Sequence, residues 1–261
     1  MLKLESIKSE KIWGYELWIA STHPNGCQND LKNAIGGEYP LLVKIIQAND
    51  TLSIQVHPDD EFAVKLEGVG NCGKTECWYV LDATEDAKLV YGIRDGFSNE
   101  VLAKAIKDNT LEQYLNFVKV QKGDFIYIPA GTVHAIGGGI RLLEVQQSSD
   151  ITYRLYDYGR GRECHVEKGL ACIDESSIQA IEPFDKNFDC PYFYMEEIAA
   201  DGDYEADADG ADVVLYFVLD GNGKINGMEA AKEDIFAFKK GETLKTEGTL
   251  KLMKIAAKQA V

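Results

Sequence analysis

Short apolar runs bounded by turn-forming residues recur along almost the whole chain, and this patterning constrains the fold more than any other feature. Leu41-Leu42-Val43-Lys44-Ile45-Ile46 reads as a buried strand. Leu52-Ser53-Ile54-Gln55-Val56-His57 alternates and is ended by Pro58-Asp59-Asp60. Cys77-Trp78-Tyr79-Val80-Leu81, Phe125-Ile126-Tyr127-Ile128, Leu142-Leu143-Glu144-Val145, Val213-Val214-Leu215-Tyr216-Phe217-Val218 and Ile235-Phe236-Ala237-Phe238 are similarly short and have the same character. Such runs suit strands and are too short for buried helices. Helical signals are few. One is 60–66. A stronger one is 98–107, where Ser98 can cap and Val101, Leu102, Ala105 and Ile106 recur at helical spacing. The stretch 111–117 reads as its continuation after a break. A mainly β chain with a small helical insert follows.

An internal echo divides this β material in two. Tyr79-Val80-Leu81-Asp82-Ala83 resembles Phe217-Val218-Leu219-Asp220-Gly221. Gly123-Asp124-Phe125-Ile126-Tyr127-Ile128-Pro129-Ala130-Gly131 resembles Glu233-Asp234-Ile235-Phe236-Ala237-Phe238-Lys239-Lys240-Gly241. The second pair is separated by less sequence than the first, by about the length of the region between Gly92 and Lys122. Two barrel-like lobes, the first carrying the insert, account for both spacings.

Charge narrows the partners. Asp and Glu number 43 against 27 Lys and Arg, a net charge of −16. Nucleic acid and anionic membrane would both repel such a surface. No run approaches the length of a membrane span, and the first residues lack the apolar core of an export signal. The six cysteines form no Cys-x-x-Cys pair. Reduced thiols and a cytoplasmic location are the expectation. Eight acids between 196 and 212, with no Lys or Arg, read as a solvated segment.

The residues suited to chemistry are scarce and unevenly placed. There are four histidines. Gln55 and His57 occupy alternate positions of one expected strand and face the same way. Glu76 opens the next strong strand. His134 follows the turn built by Pro129 and Gly131. Two histidines, a carboxylate and an amide oxygen can fill the inner shell of Zn²⁺ or a similar ion. The second lobe provides a contrast, since the echo maps Glu76 onto Val214 and His134 onto Leu244. Only the first lobe is then expected to hold metal. Lys74 shares a side with Glu76 if the segment is extended, where a lysine can bind an anion or move a proton. The arginines are Arg94, Arg141, Arg154, Arg160 and Arg162. Four of them fall between 141 and 162, which points to a small anionic ligand held locally. Pairing of Arg160 and Arg162 with nearby acids such as Asp157 is the competing explanation. No nucleophile elbow, phosphate-binding loop or dinucleotide fingerprint is present.

Together these segments resemble the type I mannose-6-phosphate isomerases, in particular the short bacterial form. The carriers are Lys11-Ile12-Trp13-Gly14, Leu52 through Asp60, Gly73-Lys74-Thr75-Glu76-Cys77-Trp78-Tyr79, and Pro129-Ala130-Gly131-Thr132-Val133-His134-Ala135. Glu144-Val145-Gln146-Gln147-Ser148-Ser149-Asp150-Ile151-Thr152-Tyr153-Arg154-Leu155-Tyr156-Asp157 completes them. The run from Gly123 to His134 also resembles the second cupin signature.

The resemblance implies a cupin fold, a double-stranded β-helix or jelly roll. Residues 1–175 would form a metal-binding catalytic domain with its helical insert near 95–118. Residues 176–261 would form a degenerate cupin-like lobe without metal. One Zn²⁺ per chain is implied, with His57, Glu76 and His134 as ligands and Gln55 as an additional one. Arg154 matches the active-site arginine and Lys74 a lysine near the substrate. Ser53 and Glu144 are further expected substrate contacts. The implied reaction interconverts mannose 6-phosphate and fructose 6-phosphate through an enediol, with Glu144 or a metal-bound water open as the base. The chain departs from the family at Tyr15, where a second glycine is common, and it lacks the large helical domain of the longer enzymes. Two other readings share the residues: a non-haem iron dioxygenase, and a sugar-phosphate-binding module without turnover. Gln55 and the arginine cluster favour the isomerase.

Overall fold

The computed structural model describes residues 1–94 and 97–258, so the first two positions of the expected insert and the last three of the chain lie outside the described residues. The chain divides into two units. One comprises Lys8–Leu17 and Lys44–Pro183; the other comprises Met1–Ile7, Trp18–Val43 and Phe184–Val261. A single cut near residue 175 would assign 1–7 and 18–43 to the first lobe. For 1–7 the grouping with the later residues follows from strand pairing, since Leu2–Leu4 pairs antiparallel with Ile235–Lys239. The strands Gly14–Ala20 and Leu41–Ala48 each change unit partway along.

The unit containing 44–183 carries two antiparallel sheets. One has the order Tyr153–Tyr156, Ile54–Val56, His134–Ile136, Lys88–Ile93, Leu115–Lys119. The other has the order Glu182–Pro183, Asp124–Ile128, Glu76–Ala83, Ile140–Gln147, Leu41–Ala48, Gly14–Ala20, Ile7–Lys11. Side chains alternate between faces along each strand. Trp78, Val80, Ile126, Ile128, Leu142 and Ile46 from the longer sheet meet Leu89, Tyr91 and Ile136 from the shorter one in a single core. The opposite face of the shorter sheet has its own core: Ile54, Val56, Val90, Ala135 and Leu155 pack with Leu102 and Cys172 from two helices. Strands covered on both faces cannot slip by one residue without exchanging every side chain, so the register is strongly set. Gln55, between Ile54 and Val56, is thereby turned to the inner side.

Helix Asp60–Glu67 is capped by Asp59, whose side chain accepts from Phe62 N–H at 2.7 Å. Helix Asn99–Lys107 is capped by Ser98. The expectation for 111–117 is corrected. Leu111–Tyr114 is a single 3₁₀ turn, and Leu115–Lys119 is a strand added to the edge of the shorter sheet beside Lys88–Ile93. Burial of Leu111 and Leu115 against that sheet outweighs the helical spacing. Helices Asn29–Ile35 and Val166–Cys172 were not foreseen from the sequence.

Gly14 makes one of the tight crossings. Its φ is +146°, and a Cβ there would lie 1.9 Å from the carbonyl oxygen of Gln47. Only glycine fits.

The other unit is built on one antiparallel sheet with the path Leu2–Leu4, Ile235–Lys239, Val213–Ile225, Thr243–Ala257, Phe193–Asp201, Asn187–Asp189. Its core includes Val214, Tyr216, Phe236, Phe238 and Leu244. The positions that echo Glu76 and His134 are therefore buried in apolar packing. Among the described residues no disulfide joins the six cysteines, and no helix is long and apolar enough to cross a membrane.

Candidate metal centre

The inner face of the 44–183 unit changes from apolar to polar at one end. On the strand Glu76–Ala83, Val80 and Trp78 lie in the core, and Glu76 continues the same face. Glu76 is opposite Gln146, and Trp78 is opposite Glu144. On the shorter sheet, Gln55 is opposite His134 on one side and Arg154 on the other. Period-two alternation thus sets Arg154, Gln55 and His134 side by side across three strands. His57 follows directly after Ile54–Val56.

His57, Glu76 and His134 converge. Their ligand atoms all lie within 4.8 Å of one another, and all three residues are buried. The Nε2 of His57 is 3.6 Å from one Glu76 oxygen, and the Nε2 of His134 is 3.5 Å from the other. Tetrahedral ligands at about 2.0–2.1 Å from a zinc ion would be separated by roughly 3.3 Å, so the spacing suits such an ion. The ring centroids of the two histidines are 4.8 Å apart. Gln55 Nε2 is 3.3 Å from His134 Nε2. Rotating that amide by half a turn exchanges its nitrogen and oxygen, which would present the oxygen a cation requires.

Hydrogen bonds orient both rings. His57 Nδ1 is 2.9 Å from the Ile151 carbonyl, and His134 Nδ1 is 2.9 Å from the Thr132 carbonyl. Each Nδ1–H donates outward, which leaves each Nε2 lone pair facing Glu76. Trp78 packs edge-on against His134 at 5.4 Å. Burial, reinforced by the nearby Lys74 charge, holds the His57 imidazole well below its ordinary pKa. The same two causes lower His134 to about 4. Both rings are therefore neutral near pH 7, the form that ligates metal. Burial pushes the Glu76 carboxyl up to about 7, against the opposing pull of Lys74. The buried Glu76 Oε1 has no hydrogen-bond partner. A buried anionic oxygen without a donor is costly, and a cation between the three side chains would satisfy it. The residues present fit a divalent ion.

Lys74 is buried beside this group. Its ammonium bonds to Glu76 Oε2 and lies 3.1 Å from His57 Nε2. Arg154 is half-buried; its Nε donates to Ser53 Oγ at 3.3 Å and its Nη1 to the Glu163 carbonyl at 2.6 Å. Glu144 has both oxygens engaged. Lys44 Nζ donates to one at 2.8 Å and Trp78 Nε1 to the other at 3.1 Å. Burial alone would raise the Glu144 carboxyl, but Lys44 and Lys74 outweigh it and hold it well below the usual range. A carboxylate so held is a weak base. Lys44, which also donates to Gln146 Oε1 at 2.7 Å, was missed in the sequence. Its signal was a lone charge inside an otherwise apolar run.

The arginine cluster divides. Asp157 takes Arg162 in two hydrogen bonds and Arg160 in two more. Arg160 also donates to the Thr51 carbonyl at 2.6 Å. Arg141 is elsewhere, on Tyr15 and Gln47.

Comparison with known proteins agrees with this geometry. Residues 20–71 match the family model for the phosphomannose isomerase type I catalytic domain. The chain is 39% identical to mannose-6-phosphate isomerase ManA of Bacillus subtilis strain 168, over 87% of this chain and 81% of that protein. A crystal structure of mannose 6-phosphate isomerase from Bacillus subtilis superposes with a TM-score of 0.82 at 28% identity, covering 97% of this chain and 98% of that one. A mannose 6-phosphate isomerase bound with zinc and yttrium shares the fold, with a TM-score of 0.69 at 16% identity over 98% and 99% of the two chains. The architecture is the cupin fold that the resemblance implied. With a relative this similar over most of both lengths, the chain belongs to the type I mannose-6-phosphate isomerase family.

Proposed function

We propose that the chain interconverts mannose 6-phosphate and fructose 6-phosphate, with one Zn²⁺ held by His57, Glu76, His134 and Gln55. The observation that carries this reading is the meeting of two inward-facing imidazole nitrogens and a buried carboxylate within 4.8 Å in a chain of this family. We assign the centre to the catalytic domain proposed for 1–175, and no metal to the lobe proposed for 176–261, where Val214 and Leu244 are buried and apolar.

The reaction moves a proton between C1 and C2 of the sugar through an enediol. When bound, the divalent ion supplies a Lewis acid for the negative charge that develops on the sugar oxygens. Two neutral imidazoles and one carboxylate leave such a site with a net charge near +1, which favours an enediolate. Arg154 lies on the same side of its sheet as Gln55 and His134, where its guanidinium can stabilise the same charge. Ser53 holds that guanidinium through its Nε. The Lys74 ammonium can hold a sugar oxygen or pass a proton. Glu144 acts through Lys44 and Trp78, because both its oxygens are engaged. Asp157 keeps Arg160 and Arg162 together close to Arg154, a positive group suited to the phosphate, whose binding would orient the reacting carbons.

A coupled assay for fructose 6-phosphate formation tests the proposal. Metal-depleted protein is expected to be inactive and to recover on addition of Zn²⁺. Absence of turnover from the reloaded protein would overturn the reading.

A further inference from the structure

We propose that Glu175 is a positioning residue for the metal centre, holding the peptides of 131–133 in the shape that aims His134 at the ligand site. It lies in the polar stretch after helix Val166–Cys172 and is not one of the converging ligands. The proposal rests on the reading of His57, Glu76 and His134 as a metal centre.

The Glu175 carboxylate bridges two neighbouring strands at the end where His134 sits. One oxygen accepts from Ile93 N–H at 2.7 Å, and the other accepts from Val133 N–H at 3.3 Å. Those strands are also joined there by Gly92 N–H donating to the Val133 carbonyl at 2.8 Å. The preceding residue grips the other side of the same turn. Asp174 N–H donates to the Gly131 carbonyl at 3.0 Å, and Gly131 N–H donates to the His57 carbonyl at 2.9 Å. Between these two anchors lies Thr132, whose carbonyl receives His134 Nδ1–H. Fixing Gly131 and Val133 therefore fixes the acceptor that sets the tautomer and tilt of the His134 ring.

Two glycines make room for this strap. Gly92 has φ +81°, and a Cβ there would lie 2.8 Å from Ile178 Cδ1 and 3.1 Å from Glu175 Oε2. Gly131 has φ +91°, and a Cβ there would lie 2.8 Å from the backbone N and O of Asp174. Side chains at either position would push 174–178 away from the turn.

The test is Co²⁺ binding to the metal-free full-length chain, followed by visible absorption and by competition with a chelator. Wild type, Glu175→Ala and Glu175→Gln are compared, with the melting temperature of each metal-free protein recorded. Wild type is expected to take up one equivalent with the absorption of a nitrogen- and oxygen-ligated ion. Glu175→Ala is expected to bind about 10- to 100-fold more weakly and with a shifted spectrum. Glu175→Gln keeps an acceptor for Ile93 N–H but turns a donor toward Val133 N–H, and should fall between them. If Glu175→Ala does not fold, Glu175→Gln decides. Wild-type affinity and spectrum in the folded variants, whatever their melting temperatures, would overturn the role of Glu175 and leave the metal centre standing. A wild type that binds no Co²⁺ would overturn the metal centre, and this proposal with it.

Discussion

Gln55 and His134 are direct cross-strand partners, and their side chains meet at 3.3 Å on the inner face of the shorter sheet. Residues far apart in sequence are made adjacent by the pairing alone. Gln55 thus has two ways to serve the centre, as a ligand and as a neighbour of one. Gln55→Ala is expected to keep metal but bind it about 10- to 100-fold more weakly, in the range of groups that steer ligands, whereas His134→Ala should lose it. Chelator competition measures both. Equal affinity in Gln55→Ala and wild type would remove Gln55 from the site.

Lys44 and Glu144 form a buried pair, 8% and 4% exposed. Removing one partner leaves the other charged and desolvated. Lys44→Met is expected to destabilise the fold by about 3–5 kcal/mol, and adding Glu144→Gln should recover part of that loss. Urea unfolding measures both variants. A loss below about 1 kcal/mol for the single variant would contradict the pairing.

Asp157 links acid stability to the arginine cluster. Burial raises its carboxyl, but hydrogen bonds from Arg162 and Arg160 outweigh it and keep it below the ordinary value. The unfolded carboxyl titrates near about 3.9. The native interaction therefore stabilises the fold above about pH 4 and is lost as pH falls through the lower native value. The stability gap between wild type and Asp157→Asn should be constant from about pH 5 to 7 and shrink below about pH 4. Unfolding free energies across that range test it. A gap that persists to about pH 2 would contradict the linkage.

Arg154 separates chemistry from metal binding. Its guanidinium is anchored to Ser53 and to the Glu163 carbonyl, and it is not among the converging ligands. Arg154→Ala is expected to keep its metal and lose most turnover, and Arg154→Lys should recover little, because an ammonium cannot make the same fork of bonds. Metal content and kcat measured on the same preparation decide. An unchanged kcat would remove Arg154 from the mechanism.

Much of this architecture was legible where chemistry is local. Alternation around Ile54, Gln55 and Val56 predicts which side chains face inward, because a strand has period two. The cap Ser98 acts within three residues of itself. What was hidden depends on distant partners. The helical spacing of 111–117 gave no sign that Leu115–Lys119 would complete a sheet edge against Lys88–Ile93. The pairing of Leu2–Leu4 with Ile235–Lys239 joins segments far apart in the sequence. The four arginines between 141 and 162 were legible as a cluster, and so was the pairing of Arg160 and Arg162 with Asp157; what was hidden is that Arg141 bonds to Tyr15 and Gln47, which come from other strands. In the sequence Lys44 shows only as part of a buried strand, because its partners Glu144 and Gln146 come from another strand of the same sheet.

The most direct test is the metal stoichiometry of the purified chain, measured beside His57→Ala and Glu76→Gln variants whose folding is checked by circular dichroism. The account predicts one divalent ion per wild-type chain, none retained by the folded variants, and isomerase activity that follows metal content. Full isomerase activity in a wild-type chain stripped of metal, or an ion still bound after either substitution, would contradict it.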